Sequence, residues 1–116
     1  MIVIHVACDD EAFRAVVAEL LGHQRDMRVL RTPTPDAPDV VVYGIPPSSE
    51  VTSRAPEYRD MASMGAAIVV FCTNPEQAAD FEDLGVEYVV DANEPARELA
   101  AAVRAAYRHR AGQTIH

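Results

Sequence analysis

Cys8-Asp9-Asp10, Gly44, Cys72-Thr73 and Asp91 are the positions in this chain where residue type and placement could carry chemistry. Each stands at or just past the end of a short apolar run. Two adjacent carboxylates, Asp9 and Asp10, could hold a hard divalent cation, which prefers oxygen ligands. Thr73 could sense a bound ligand through its hydroxyl, and the two thiols could be redox-active. Between these groups the run "VVVY" (40–43) leads into Gly44, where an α/β protein commonly carries a reactive side chain and this chain offers none.

Each group also has a plainer role. Asp9 or Asp10 can cap a helix that starts at residue 11. Thr73 can bond to loop backbone, and Cys8 and Cys72 can act as small buried hydrophobes. His5, inside an apolar run, reads as a core histidine. Tyr88 reads as a half-buried or interface aromatic. No nucleophile–base pair, Gly-rich phosphate loop or metal-ligand cluster is apparent, so the expectation is a protein that is not an enzyme and carries no cofactor.

The elements that must position these groups alternate along the chain. "IVIHVA" (2–7) reads as a strand. In the helix after it, Phe13, Val16, Val17, Leu20 and Leu21 fall on one side, and Gly22 closes it. "MRVLR" (27–31) is the second strand. "TPTPDAP" (32–38), with three prolines, forbids a helix and reads as a stiff connection. Residues 40–43 form the third strand, 48–64 a helix ending near Gly65, and "AAIVVF" (66–71) the fourth strand. "PEQAADFEDLG" (75–85) is a short helix with Pro at its start and Gly at its end. "VEYVV" (86–90) is the fifth strand. Pro95 opens a last helix lined by Leu99, Val103 and Tyr107, and 111–116 reads as a frayed tail. Alternation of this kind implies a parallel sheet covered by helices on both faces. The expected architecture is a flavodoxin-like three-layer sandwich with strand order 2-1-3-4-5. In that order Cys8, Asp9, Asp10, Gly44, Cys72 and Thr73 meet in one crevice, with Asp91 on its flank. Two strand spacings, roughly 10 Å, keep the cysteines beyond disulfide reach.

The chain has 116 residues, enough for one domain. It has no Lys and a net charge of −8, which disfavours direct contact with nucleic acid or an anionic membrane surface. No signal-like or membrane-length apolar run appears, so the expected location is cytoplasmic.

Four stretches in order, "ACDDEAFRAVVAELL", "PDVVVYGIPP", "IVVFCT" and "LGVEYVVDANEPARELAAAVRAA", resemble the receiver domain of two-component response regulators. The likeness is closest to receivers that precede a LuxR-type helix-turn-helix, and it spans nearly the whole chain. The resemblance implies a domain over 1–110, with 111–116 as a tail or the start of a linker to an output domain. It also implies which machinery is altered. The family's metal-binding acidic pair falls on Cys8 and Asp9, its phosphoacceptor Asp on Gly44 and its conserved Lys on Asp91. The phosphoryl-sensing hydroxyl is retained as Thr73 and the aromatic switch residue as Tyr88. An acyl phosphate needs a carboxylate, and Gly44 has none. Against the family pattern, the seven-residue connection after the second strand spans roughly 23 Å extended, so the family's second helix is expected to be missing. The helix after the fourth strand is expected to be short.

The resemblance therefore implies an atypical, phosphorylation-independent receiver acting in dimerisation and regulation, as part of a transcriptional regulator. Its partners would be a second copy of the chain and an attached or separate DNA-binding output domain, with no direct nucleic-acid or membrane contact. The alternative is a small-molecule sensor that binds its ligand in the vacated crevice formed by Cys8, Asp9, Asp10, Gly44, Thr73 and Asp91.

Overall fold

A computed structural model describes residues 2–8, 10–30, 38–46, 51–63, 67–91 and 95–114, with backbone only at 51–54, 95–96 and 110–114. The elements run β1 (Ile2–Ala7), α1 (Glu11–Gly22), β2 (Met27–Leu30), β3 (Val40–Ile45), α2 (Val51–Ser63), β4 (Ala67–Cys72), α3 (Pro75–Asp83), β5 (Val89–Val90) and α4 (Pro95–Thr114). The strands form one parallel sheet in the order β2-β1-β3-β4-β5. This is the flavodoxin-like α/β arrangement expected from the alternation of apolar runs and amphipathic segments.

Period-two alternation sorts the strand residues between two cores. Ile2, Ile4, Val6, Val40, Val42, Val69 and Phe71 face α1 and α4, where they meet Val17, Leu21, Leu99 and Val103. Val41, Tyr43, Ile45, Ile68, Val70 and Cys72 face α2 and α3, around Phe81. β3 is buried on both faces, which is why its sequence is an unbroken apolar run. The buried Tyr43 keeps its hydroxyl satisfied by donating to Glu57 Oε2 at 3.0 Å.

Several boundaries differ from the sequence expectation, each for a local reason. In α1 the buried stripe is Val17 and Leu21, with Phe13 partly buried, while Val16 is 52% exposed. An i, i+4 stripe through 13, 17 and 21 turns residue 16 to the rim of the apolar face. α2 runs through Pro56, which leaves the Thr52 carbonyl without its helical donor. β5 is two residues long instead of five. The Val86 and Gly85 amides are used by the end of α3, where Val86 N–H donates to the Phe81 carbonyl at 3.2 Å and Gly85 N–H to that of Glu82 at 3.0 Å. Gly85 sits at φ +88°, as this helix ending requires, and Val86 packs against Phe81. At nine residues, α3 is short as expected. α4 continues as helix to Thr114, beyond the boundary placed at residue 110. The expected loss of a helix before β3 concerns 31–37, which lie outside the described residues. α4 is also fastened to the turn before β2: Arg104 donates to both carboxylate oxygens of Asp26 at 2.8 and 2.9 Å and to Gln24 Oε1 at 2.8 Å.

Candidate functional site

The carboxyl ends of β1, β3 and β4 lie side by side, with Ala7 paired to Tyr43, Gly44 to Phe71 and Ile45 to Cys72. At the start of α1, Asp10 is the N-cap: its Oδ1 accepts from Phe13 N–H at 3.0 Å. The cap fixes the first turn of α1, the turn that carries Phe13. The Phe13 ring lies over Gly44 and against Phe71, with ring centroids 5.6 Å apart and planes at 33°. A Cβ on Gly44 would stand 3.1 Å from Phe13 Cδ1 and Cε1 and 3.3 Å from Cys8 Cβ. Glycine lets the Phe13 ring sit this close, and any larger residue would make the ring or Cys8 give way by a few tenths of an ångström. The space that the sequence suggests is vacated at Gly44 is filled by an aromatic ring.

The other candidates are distributed around this plug. Cys8 is half-buried beside Gly44. Asp9 lies outside the described residues. Thr73 is exposed just past β4, ahead of Asn74, whose side chain caps α3 by accepting from Glu76 N–H at 2.9 Å. Cys72 belongs to the opposite core from the one Phe13 packs against, whereas Cys8, past the end of β1, lies beside Gly44. The Cys72 thiol donates to the Val90 carbonyl at 3.7 Å, and burial, assisted by the charge of Asp91, pushes its pKa up to about 11. A thiol so hard to ionise is a poor nucleophile, in keeping with a packing role.

Asp91 is half-buried at the end of β5 and faces a different space, a groove shared with α3 and α4. Tyr88 lies against α4: its hydroxyl meets His109 Nδ1 at 3.1 Å, and the same nitrogen is 3.3 Å from Glu87 Oε2. His5 is half-buried and not in either core; it lines a hollow of about 430 Å³ with Glu11, Arg14 and Leu30. The structure thus brings Cys8, Asp10 and Gly44 together around Phe13, and separates Asp91 and Tyr88 from them. Among the described residues no group of three or more His, Cys, Asp or Glu side chains is placed to hold a metal ion.

Two residues matter here that the sequence did not single out as site residues. Phe13 read only as part of an apolar face. Gln77, in the first turn of α3, is buried and donates through Nε2 to the Pro46 carbonyl at 3.1 Å, tying the segment after β3 to α3. A polar side chain among the apolar positions of so short a helix is the only sequence signal for it. No helix among the described residues is long and apolar enough to cross a membrane. No family model matches the chain, and no curated protein matches it.

Proposed function

We propose that the chain is a receiver-like regulatory module that works without phosphorylation, pairing with a second copy and controlling a DNA-binding output domain in the cytoplasm. The observation that carries this reading is the Phe13 ring over Gly44. In the resembled family that position holds the carboxylate that takes the phosphoryl group. Here it is packed with aromatic carbon, which offers neither an attacking oxygen nor a metal ligand. The strand order 2-1-3-4-5 supports the same reading at the level of the fold alone. The ligand-sensing alternative is weakened by the same ring, because Phe13 takes up the room the missing side chain would leave.

The acidic balance supports a separate output domain for operator contact, since phosphate contacts need Lys or Arg. The test is intact-mass spectrometry after incubation with acetyl phosphate and Mg²⁺. The expected result is an unchanged mass. A gain of about 80 Da that is labile to hydroxylamine and lost in Asp10→Asn or Asp9→Asn would overturn the proposal.

A further inference from the structure

One ring nitrogen of His109, on α4, meets two groups that ask opposite things of it. Its Nδ1 is 3.1 Å from the Tyr88 hydroxyl and 3.3 Å from Glu87 Oε2, both in the stretch leading into β5. A bare Nδ1 can only accept a hydrogen bond, and a protonated Nδ1 can only donate one. The carboxylate can only accept. The hydroxyl can serve either way, and it has a second acceptor in reach, the Ala105 carbonyl at 3.5 Å, one turn before His109 on α4. The Tyr88 and His109 rings also meet edge to face, with centroids 6.3 Å apart and planes at 71°, which keeps the imidazole at this corner. Desolvation, and then the charge of Glu87, push the Tyr88 hydroxyl above its ordinary value of 10.0, so it keeps its proton at neutral and mildly acid pH. Tyr58 of α2 also feels the charge of Glu87, and Arg108 adjoins His109 on α4. Arg104 is engaged by Asp26 on the side of the turn before β2, and in the core α1, β3 and β4 present apolar side chains to α4.

We infer that His109 is a proton-operated joint between β5 and α4, in which uptake of one proton by Nδ1 moves the anchor of the helix from Tyr88 to Glu87. Without that proton the Tyr88 O–H donates to Nδ1, and the hydrogen of the ring sits on Nε2. When Nδ1 takes a proton from solvent it donates to Glu87, and the Tyr88 O–H turns to the Ala105 carbonyl. No proton passes between side chains. The hydroxyl and the imidazole each keep a partner in both states, so the fastening changes hands instead of breaking. Imidazole is the side chain whose charge ordinarily changes between about pH 5 and pH 8, which puts the exchange in the physiological range. Such a response needs no phosphorylation. Its regulatory use rests on the receiver-like reading above, and a failed exchange would leave the acetyl phosphate test of that reading untouched.

The experiment is an NMR titration of the full chain from about pH 8 to about pH 5. It follows the His109 ring nitrogens, Tyr88 Cζ, Glu87 Cδ and the Ala105 carbonyl carbon. At the upper end His109 should be held as the tautomer with its hydrogen on Nε2. The Tyr88, Glu87 and Ala105 signals should then move together with the His109 ring, at one common midpoint. Tyr88→Phe keeps the ring contact and removes the hydroxyl. In that variant His109 should still titrate, its preference for the Nε2–H tautomer should fall, and the Ala105 carbonyl should stay flat. An Ala105 shift that survives in Tyr88→Phe would be only the field of the charged ring on the helix, and would overturn the inference. A His109 ring that titrates while Tyr88 Cζ does not move, or that carries its hydrogen on Nδ1 at about pH 8, would overturn it as well.

Discussion

The carboxyl edge of the sheet is built in two opposite ways. At β1, β3 and β4 it is closed: Phe13 covers Gly44, Phe71 backs the ring, and Cys8 packs alongside. At β5 and α4 it is open and acidic: Glu82, Asp91 and Glu98 line one groove there together with alanines and valines of α3, β5 and α4. On the receiver reading proposed above, a carboxylate is absent at the centre, at Gly44, and Asp91 stands at the flank in place of a lysine. On that reading the carboxylates of this edge stand at the flank, around the opening beside β5. A buried carboxylate is tolerated when a metal or hydrogen bonds compensate it. Filling the centre with aromatic carbon removes that requirement, and a rim charge costs little because water still reaches it.

Removing the closed side's backing should have the largest effect on stability. Phe71 is 2% exposed and touches both Phe13 and the α1/α4 core. Phe71→Ala should lower the unfolding free energy by about 3–5 kcal/mol, the usual range for a buried Phe truncated to Ala. Phe13→Ala, at a partly buried site, should cost about 2 kcal/mol. Urea denaturation measures both, and a Phe71→Ala loss below that of Phe13→Ala would mean that Phe71 does not back the Phe13 ring.

Next comes the attempt to restore the missing side chain. Gly44→Asp places a Cβ against the Phe13 ring and a carboxylate in a buried site. The expected loss is about 2–3 kcal/mol from overpacking and the buried charge together. The two positions are in contact, so the effects should not add: in a Phe13→Ala background Gly44→Asp should cost less by about 1 kcal/mol. Strict additivity in this cycle would show that the ring does not exclude the carboxylate, and the closed side of the comparison would fail.

Much of the fold was legible because its determinants are local. The strands are apolar runs bounded by Asp, Pro or Gly, and Asp10, Asn74 and Gly85 mark helix ends by chemistry that acts within a few residues. The departures come where one group serves two structures. Val86 has a strand-like sequence, yet its amide is spent on the end of α3. Val16 belongs to the apolar set by spacing and falls at its rim by geometry. The candidate site was legible as a set of positions but not as a space. Gly44 reads as a missing side chain until Phe13, distant along the chain, is seen to occupy the room. The acidic groove was not legible, because Glu82, Asp91 and Glu98 are brought together only by the packing of α3, β5 and α4.

A smaller effect separates two carboxylates that the sequence groups in one crevice. Asp10 holds the first turn of α1 through its bond from Phe13 N–H, so Asp10→Ala should cost about 1 kcal/mol, as loss of an N-cap does. Asp91→Asn removes a rim charge and should change stability by no more than about 0.5 kcal/mol. Thermal melts of the two variants at one pH compare them directly. A larger loss for Asp91→Asn would place that carboxylate in the structural framework instead of on an open rim.

The smallest effect is conditional on pH and concerns neither side of the edge, which makes it a control for both. The Arg104 guanidinium, bonded to both oxygens of Asp26, holds that carboxyl below its ordinary value of 3.8. A carboxyl whose pKa is lower folded than unfolded binds protons more readily in the unfolded chain. Its stabilisation is therefore complete above the unfolded value and disappears as pH falls through the lower, folded value. The melting temperature of wild type should exceed that of Asp26→Asn by a constant margin from about pH 7 to pH 5, and the margin should shrink below about pH 4. Because Asp26 is exposed and Arg104 partly so, added salt should narrow the margin at neutral pH. A margin that persists unchanged to about pH 2 would mean that Asp26 ties α4 to the turn before β2 through packing or neutral hydrogen bonds, and the ion-pair account of that fastening would have to be given up.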